Sequence, residues 1–459
     1  MAHLSSSGSS AALRLSVRVR PTQSSRRSQV QFCSPRSVQA RWRSYAAKVP
    51  MSASASRTVN PIRQLIERTQ VAPNPDLDVI PLSIGDPTHF GNFTPPPSLA
   101  KEMGALLEQQ QSNGYQHSTG ILAARESVAR KFSGRGPGGG KKKFPLTADD
   151  VILASGCSHA LDLAIQVLAN PGEHNVLLPK PGFPLYQTLA SSRGIDTKHY
   201  RLDPARQWEI DLQDMEAQID EKTACILINS PSNPCGNVFS RGHLEEICRI
   251  AEKHQLPLIA DEIYANMAFE KERNVLLNEV SQNVPFLSVG GLAKQYMIPG
   301  WRMGWVLVHD RNEAFSEVRR GLQDLSTLLL GPSTLQQAAI PHLLEETQPQ
   351  YYVDVLRQLE DNGKVIANVL ADAPGLRVIK PEGAMYVLVE LPRAKGGAAA
   401  DDVAFCRELL AKQSVFALPG QCFGIEGFFR IVTSPPKEKL EEACKRIVNF
   451  CKEQADGGA

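Results

Sequence analysis

The stretch that decides the architecture is VILASGCSHALDLAIQVLANPGEHNVLLP, residues 151–179. It opens on VILAS (151–155), an apolar run of strand length, passes into a helical segment over Ser158–Leu168, and returns to a strand at NVLLP (175–179). Strand, helix and strand without polar alternation is the pattern of parallel βαβ units in a sheet covered on both faces. The pattern recurs. ACILIN (224–229), LPLIAD (256–261), PFLSVG (285–290) and WVLVH (305–309) read as further strands, and RGHLEEICRIAEKH is a helix between the first two.

Upstream of this core, IRQLIERTQ after Asn60-Pro61 is an amphipathic helix or arm. IPLSI (80–84) is a short strand ended by the turn Gly85-Asp86-Pro87, and SLAKEMGALLEQQ (98–110) has helical spacing. GRGPGGGKKK (134–143) is a surface loop; Lys142 stands where a phosphate-binding loop requires Ser or Thr. Downstream of Gly331-Pro332 a long helical tract runs to about Leu370. Strands LRVIK, MYVLVE and FRIVT follow, with helices at 401–413 and 436–453, which makes a smaller α+β domain. The expected division is a leader at 1–57, an arm at 58–88, a large domain at 89–330, and an interdomain helix with small domain at 331–459.

Composition narrows the function classes. A formal net charge of +2 over 459 residues gives no general attraction to nucleic acid or anionic membrane. No apolar stretch approaches the roughly 20 residues of a transmembrane helix. Nine cysteines with no C-x-x-C pair and no metal-like spacing read as free thiols in a reducing compartment, with no metal site. Before Glu67 the chain is basic, Ser-rich and free of acidic residues through Arg57, the signature of an organelle transit peptide. The expected location is an organelle matrix, mitochondrial in preference to plastid, with a cytosolic form if synthesis starts at Met51.

Polar residues gather at the C-terminal ends of these strands, where open α/β sheets bind ligands. Lys294 lies in SVGGLAKQYMIPGWRMGW (288–305) among small residues with no carboxylate neighbour. Desolvation there favours the free amine that makes Schiff bases, and an exposed loop lysine is the plain alternative. Arg302 offers a fixed fork suited to phosphate, and Ser155-Gly156-Cys157-Ser158 turns a strand into a helix whose N-terminus favours the same anion or is a simple cap. Asp261 ends an apolar strand and needs a cation or good donors there. A protonated pyridine nitrogen serves that need, and an ordinary helix cap is the alternative. Tyr264 and Asn233 are candidate partners for a ring hydroxyl, with a plain turn asparagine as the alternative for the latter. Phe183 is a flat face for stacking or a core residue, and Arg430 is a carboxylate fork or half of an ion pair.

Taken together, NPIR, LSIGDPTHFGN, NGYQHSTG, VILASGCSHALDLAIQVLANPG, PKPGFPLY, WEIDL, NSPSNPCGNVFS, ADEIYANM, GGLAKQYMIPGWRMGW, PEGAMYV and FRIV resemble the class I/II pyridoxal-phosphate aminotransferases of fold-type I. The resemblance spans about residues 58–453 and, within the family, leans to the branch acting on tyrosine. It implies an α/β fold: a large domain with a mostly parallel seven-stranded sheet covered by helices, plus a smaller α+β domain. It implies pyridoxal 5′-phosphate as cofactor, with Lys294 as the Schiff-base lysine and proton carrier, and Asp261 on the pyridine nitrogen. Asn233 and Tyr264 would hold the ring hydroxyl and Phe183 would stack on the ring. Arg302 and Ser155, Gly156, Cys157 and Ser158 would bind phosphate. Tyr115 would reach the phosphate of a second subunit, which implies a homodimer with shared sites. Arg430 would grip the substrate α-carboxylate, beside Asn233 and with Gly85 at the substrate edge.

Two departures stand out. Many relatives carry Ser three positions before the lysine, where Gly291 stands, so the contact is lost or supplied by Ser288. Aspartate-specific relatives present an arginine from the partner subunit, and none lies between Gly321 and Tyr352. That suits an aromatic donor, tyrosine first, passing its amino group to 2-oxoglutarate and giving 4-hydroxyphenylpyruvate and glutamate. A carbon–sulfur lyase or aminocyclopropane-carboxylate synthase keeps the same lysine, aspartate and arginine. A non-catalytic relative that binds cofactor or a partner protein is the reading from another class, and the intact motif residues weigh against it. A nicotinamide enzyme is disfavoured because no G-x-G-x-x-G follows a strand.

Overall fold

The computed structural model describes residues 49–68, 71–133, 144–392 and 400–456; the leader through residue 48 and the loop 134–143 lie outside them. Contacts divide the chain into Met1–Met51 and a compact unit Ser52–Ala459, which holds everything below. Composition places residues up to 57 in the leader, and of these Ser52–Arg57 pack within the compact unit. Ala53–Arg57 is a helix capped by the Ser52 hydroxyl. It docks where Ser54 Oγ donates to Ser192 O at 2.9 Å and Arg57 Nε to Ser191 O at 3.0 Å. A basic residue can serve a leader or a docking contact, and composition does not tell them apart.

The strands, in chain order, are β1 (Ile80–Pro81), β2 (Val151–Ala154), β3 (Asn175–Lys180), β4 (Asp196–Asp203), β5 (Glu209–Ile210), β6 (Thr223–Asn229), β7 (Leu258–Asp261), β8 (Phe286–Gly291), β9 (Gly304–His309), β10 (Arg377–Val378), β11 (Tyr386–Glu390), β12 (Val415–Phe416), β13 (Leu418–Pro419) and β14 (Phe428–Val432). The main sheet has the order β2-β9-β8-β7-β6-β3-β4-β5. β4, β3, β6, β7 and β8 are joined in parallel, while β9 runs against both its neighbours. The eighth strand, beyond the seven expected, is the two-residue antiparallel edge β5.

The lack of polar alternation follows from burial on both faces. On β6, Ile226 and Ile228 enter one core with Leu258 and Ala260 of β7. The intervening Cys225 and Leu227 enter the opposite core with Ile259 and helix residues Leu161 and Ile165. Each fully buried aliphatic side chain of this kind contributes roughly 1.5–3 kcal/mol.

The second sheet is antiparallel, ordered β10-β11-β14-β13. The helices Pro349–Leu370, Asp402–Gln413 and Lys437–Asp456 supply Ile366, Leu409 and Ile447 to a core with Val387 and Phe429. The helical tract expected from residue 331 is three helices, Thr334–Ala338, Ile340–Glu346 and Pro349–Leu370, the latter two opening with proline in the first turn. β1 pairs in parallel with β12 in a separate two-stranded sheet, which ties the segment before Gly85 to the chain that leads into β13.

Candidate active site

Three parts of the main sheet converge at one edge. β2 ends in the Ser155–Ser158 turn, β6 and β7 end at Asn229 and Asp261 side by side, and β8 leads to Lys294.

The turn after β2 depends on Gly156, which has φ 81° and ψ 166°, a conformation nearly confined to glycine. Two of its four amides are used internally: Ser155 N donates to His159 Nδ1 at 3.1 Å and Gly156 N to Ala154 O at 2.7 Å. The amides of Cys157 and Ser158, first in their helix, have no acceptor among the described residues and are free for an anion. The Arg302 guanidinium lies against Gly156 so closely that a β-carbon there would stand 2.5 Å from Nη2. Arg302 itself turns the chain at φ 51° and donates from Nη1 to Pro299 O at 3.1 Å.

Asp261 is buried at the end of β7. Tyr186 O–H donates to Oδ2 at 2.6 Å, Ile263 N–H to Oδ1 at 3.2 Å and the Cys157 thiol to Oδ1 at 3.7 Å. Burial pushes the carboxyl above the usual carboxylate range, and these donors pull it partly back. All three donors are uncharged, so a cation has a place to bind. Burial, reinforced by Asp261, raises both the Cys157 thiol and the Tyr186 phenol well above their ordinary values. Both therefore stay protonated donors.

Lys294 is half-buried, and its Nζ donates to the Gly85 carbonyl oxygen. Gly85 is tight on its other side, where a β-carbon would stand 3.2 Å from the Tyr386 hydroxyl. Arg430 is buried on β14 and donates to Asn233 Oδ1 and Ser83 O, each at 2.9 Å. Its Nε is buried without a hydrogen-bond partner, and its guanidinium lies 4.3 Å from the Tyr386 ring and 4.8 Å from the Phe423 ring. An arginine so placed is short of an anion.

Some placements differ from the sequence expectation. The Asn233 side-chain oxygen is committed to Arg430, which leaves its Nδ2 for a ring oxygen. The Tyr264 hydroxyl meets the Tyr386 hydroxyl at 2.7 Å. Phe183 is half-buried and stands edge-on to Tyr186, with ring centroids 5.7 Å apart. Ser288 does not replace the missing serine: it is buried within β8 and its Oγ lies 3.1 Å from His309 Nε2. Gly291 is required by packing, since a β-carbon there would stand 2.5 Å from Met303 O across the β8–β9 pair. Tyr115 is 91% exposed.

These residues fit pyridoxal phosphate. A buried carboxylate with neutral donors suits its ring nitrogen, and the cradle of Gly156, open amides and Arg302 suits its phosphate. No cluster among the described residues has the makings of a metal site.

A family model described as aminotransferase class I and II matches residues 77–447. The chain belongs to the class I and II aminotransferases. This aminotransferase is 45% identical over 420 residues to the tyrosine aminotransferase of Mus musculus, covering 91% of each chain. It is 45% identical over 415 residues to that of Homo sapiens, covering 90% of this chain and 88% of the human one. A crystal structure of tyrosine aminotransferase from Leishmania infantum matches at a TM-score of 0.83 and 33% identity, covering 89% of this chain and 99% of the other.

Two residues of the aminotransferase site escape sequence reasoning. Tyr186 holds Asp261, and its only signal is a position three residues after Phe183, at the same helix start. Tyr386 lies in PEGAMYV, a motif that carried the resemblance without a role for its tyrosine.

Proposed function

We propose that this aminotransferase moves the amino group of tyrosine to 2-oxoglutarate with pyridoxal 5′-phosphate as cofactor. The observation that carries the reading is Lys294, half-buried on the Gly85 carbonyl at the main-sheet edge that also holds buried Asp261, with buried Arg430 presented from β14 of the second sheet. The bound cofactor supplies an aldehyde and a cationic ring able to accept the electron pair released at the substrate α-carbon.

The chain's own residues do the rest. Arg430, seated by Asn233 and Ser83, binds the α-carboxylate of donor and acceptor alike. The Lys294 amine takes the α-proton and returns a proton on the product side; such transfer contributes about 10²–10⁴-fold. Asp261, kept in place by Tyr186 and Cys157, would hold the ring nitrogen in its cationic form. Asn233 Nδ2 and Tyr264 would hold the ring oxygen, Phe183 would pack on the ring, and Arg302 with the Cys157 and Ser158 amides would bind the phosphate. An aromatic donor is supported by the names of the relatives and by the absence of arginine between Gly321 and Tyr352.

A homodimer with shared sites is supported by a surface that one chain leaves bare. Leu328, Leu329 and Leu330 are 72%, 57% and 53% exposed. They adjoin the Tyr115 loop, because Ser326 Oγ donates to Ser118 Oγ at 2.9 Å. The basic leader supports import into an organelle matrix, mitochondrial first. A fusion of residues 1–51 to a fluorescent protein tests that, with diffuse cytosolic signal as the contrary result.

The function is tested on protein begun at Met51, loaded with pyridoxal phosphate, and given a panel of amino donors with 2-oxoglutarate. The expected result is 4-hydroxyphenylpyruvate and glutamate in equal amounts, with tyrosine the best donor. Ammonia with pyruvate, or no glutamate, overturns the reading.

A further inference from the structure

Tyr386 stands at the centre of the site and has no part in the roles above. It is buried at the start of β11, opposite Val432 of β14, and three neighbours meet it. Its hydroxyl is 2.7 Å from the Tyr264 hydroxyl, its ring face is 4.3 Å from the Arg430 guanidinium, and Gly85, which holds Lys294, packs on its oxygen. The two rings meet nearly perpendicular, at 84° with centroids 5.8 Å apart, so the contact is made through the hydroxyls and not by stacking.

We propose that Tyr386 is a positioning residue with two separable duties: its hydroxyl donates to Tyr264, and its ring seats Arg430. This rests on the pyridoxal-phosphate reading. At 2.7 Å either hydroxyl can donate, and Tyr386 is the donor because the single proton of Tyr264 is assigned to the cofactor's ring oxygen. Burial alone raises the Tyr386 phenol, but Lys294, Arg430 and the Tyr264 contact more than offset it, with Asp261 opposing, and the phenol falls below its ordinary value. Tyr264 is pushed well up by burial and by Tyr386. Both directions agree with that assignment. Tyr264 then keeps its own proton for the cofactor's ring oxygen, and a donor that receives a hydrogen bond is the stronger donor. The ring acts independently. A cation over an aromatic face gains most where water is excluded, and Arg430 is 3% exposed.

The two duties are tested by two variants. Tyr386→Phe keeps the ring and loses the hydroxyl; Tyr386→Leu loses both. The first readout is the pH midpoint of the visible absorbance of the cofactor bound to Lys294. A hydrogen bond to the ring oxygen favours the deprotonated form, so Tyr386→Phe raises the midpoint by about half a pH unit or more. In a Tyr264→Phe background the same change adds little. The second readout is KM for 2-oxoglutarate, nearly unchanged in Tyr386→Phe and raised about tenfold in Tyr386→Leu.

An unmoved or lowered midpoint overturns the hydroxyl's duty. So does a shift that persists undiminished without Tyr264. Equal KM values for the two variants overturn the ring's duty. Far-UV circular dichroism of each variant screens for misfolding, and the conservative Tyr386→Phe carries the first test if Tyr386→Leu does not fold. Wild-type protein that shows no Lys294-linked band would refute the pyridoxal-phosphate reading itself, a failure distinct from these.

Discussion

Gly156→Ala perturbs the phosphate cradle in a way whose consequence can be worked out in advance. The new methyl would stand 2.5 Å from Arg302 Nη2 and 2.8 Å from its Cζ. These atoms are the far end of a flexible side chain, so the clash is relieved by the guanidinium swinging away from the turn. The backbone at φ 81° and ψ 166° costs about 1–3 kcal/mol for a residue with a β-carbon, and that cost falls on stability. The displaced guanidinium costs affinity. Losing its charge-assisted hydrogen bonds to an anion is worth about 1.5–3 kcal/mol, or roughly 10–150-fold in Kd. The assay is fluorescence titration of the apoenzyme with pyridoxal phosphate, for wild type, Gly156→Ala, Arg302→Ala and the double variant. Because the glycine acts through the arginine, the two single losses should not add, and the double variant should bind about as Arg302→Ala does. Full additivity refutes the reasoning, as does a Gly156→Ala affinity within threefold of wild type.

Other expectations follow from the same geometry. Glu262 accepts from Leu277 N at 2.9 Å, and burial raises it from 4.5 to about 7. A carboxyl raised on folding contributes its stability below pH 4.5 and loses it as pH climbs to about 7, a loss of about 3 kcal/mol at 1.36 kcal/mol per decade. Residual solvent contact reduces this to about 2 kcal/mol. Glu262→Gln, a neutral near-isostere, should therefore gain roughly 2–3 °C in Tm over wild type at pH 8 and little at pH 4.5; a difference that is flat with pH counts against the burial. Arg430→Lys keeps a charge but loses the fork, and should lower kcat/KM for donor and acceptor by about 10²-fold, with pyridoxal-phosphate affinity little changed. A loss confined to one substrate would show that Arg430 does not bind the shared carboxylate. Leu329→Glu should shift the protein toward monomer in sedimentation and cut activity, and a dimer that persists places the interface elsewhere.

The covered strands were legible in the chain because burial on both faces writes itself as uninterrupted apolar residues. VILA, ACILIN and LPLIAD are of this kind. β4 was missed because DTKHYRLD lies near the sheet edge with only Tyr200 and Leu202 fully buried, and a polar edge strand looks like a loop. β5, at two residues, is shorter than any periodicity. The same division runs through the site. Lys294, Asp261 and Arg430 were legible because a lone charge on an apolar strand or small-residue loop demands a partner.

What the sequence alone determined is therefore the class of chemistry and the covered strands whose ends carry it. Only the tertiary structure decided which neutral groups hold the charged ones. Tyr186 and Asp261 are 75 residues apart, and Tyr264 and Tyr386 are 122 apart. The physical reason is that a hydroxyl has no preferred place on a strand or helix. Its role is set by what the fold brings within about 2.7 Å, a distance no local pattern encodes.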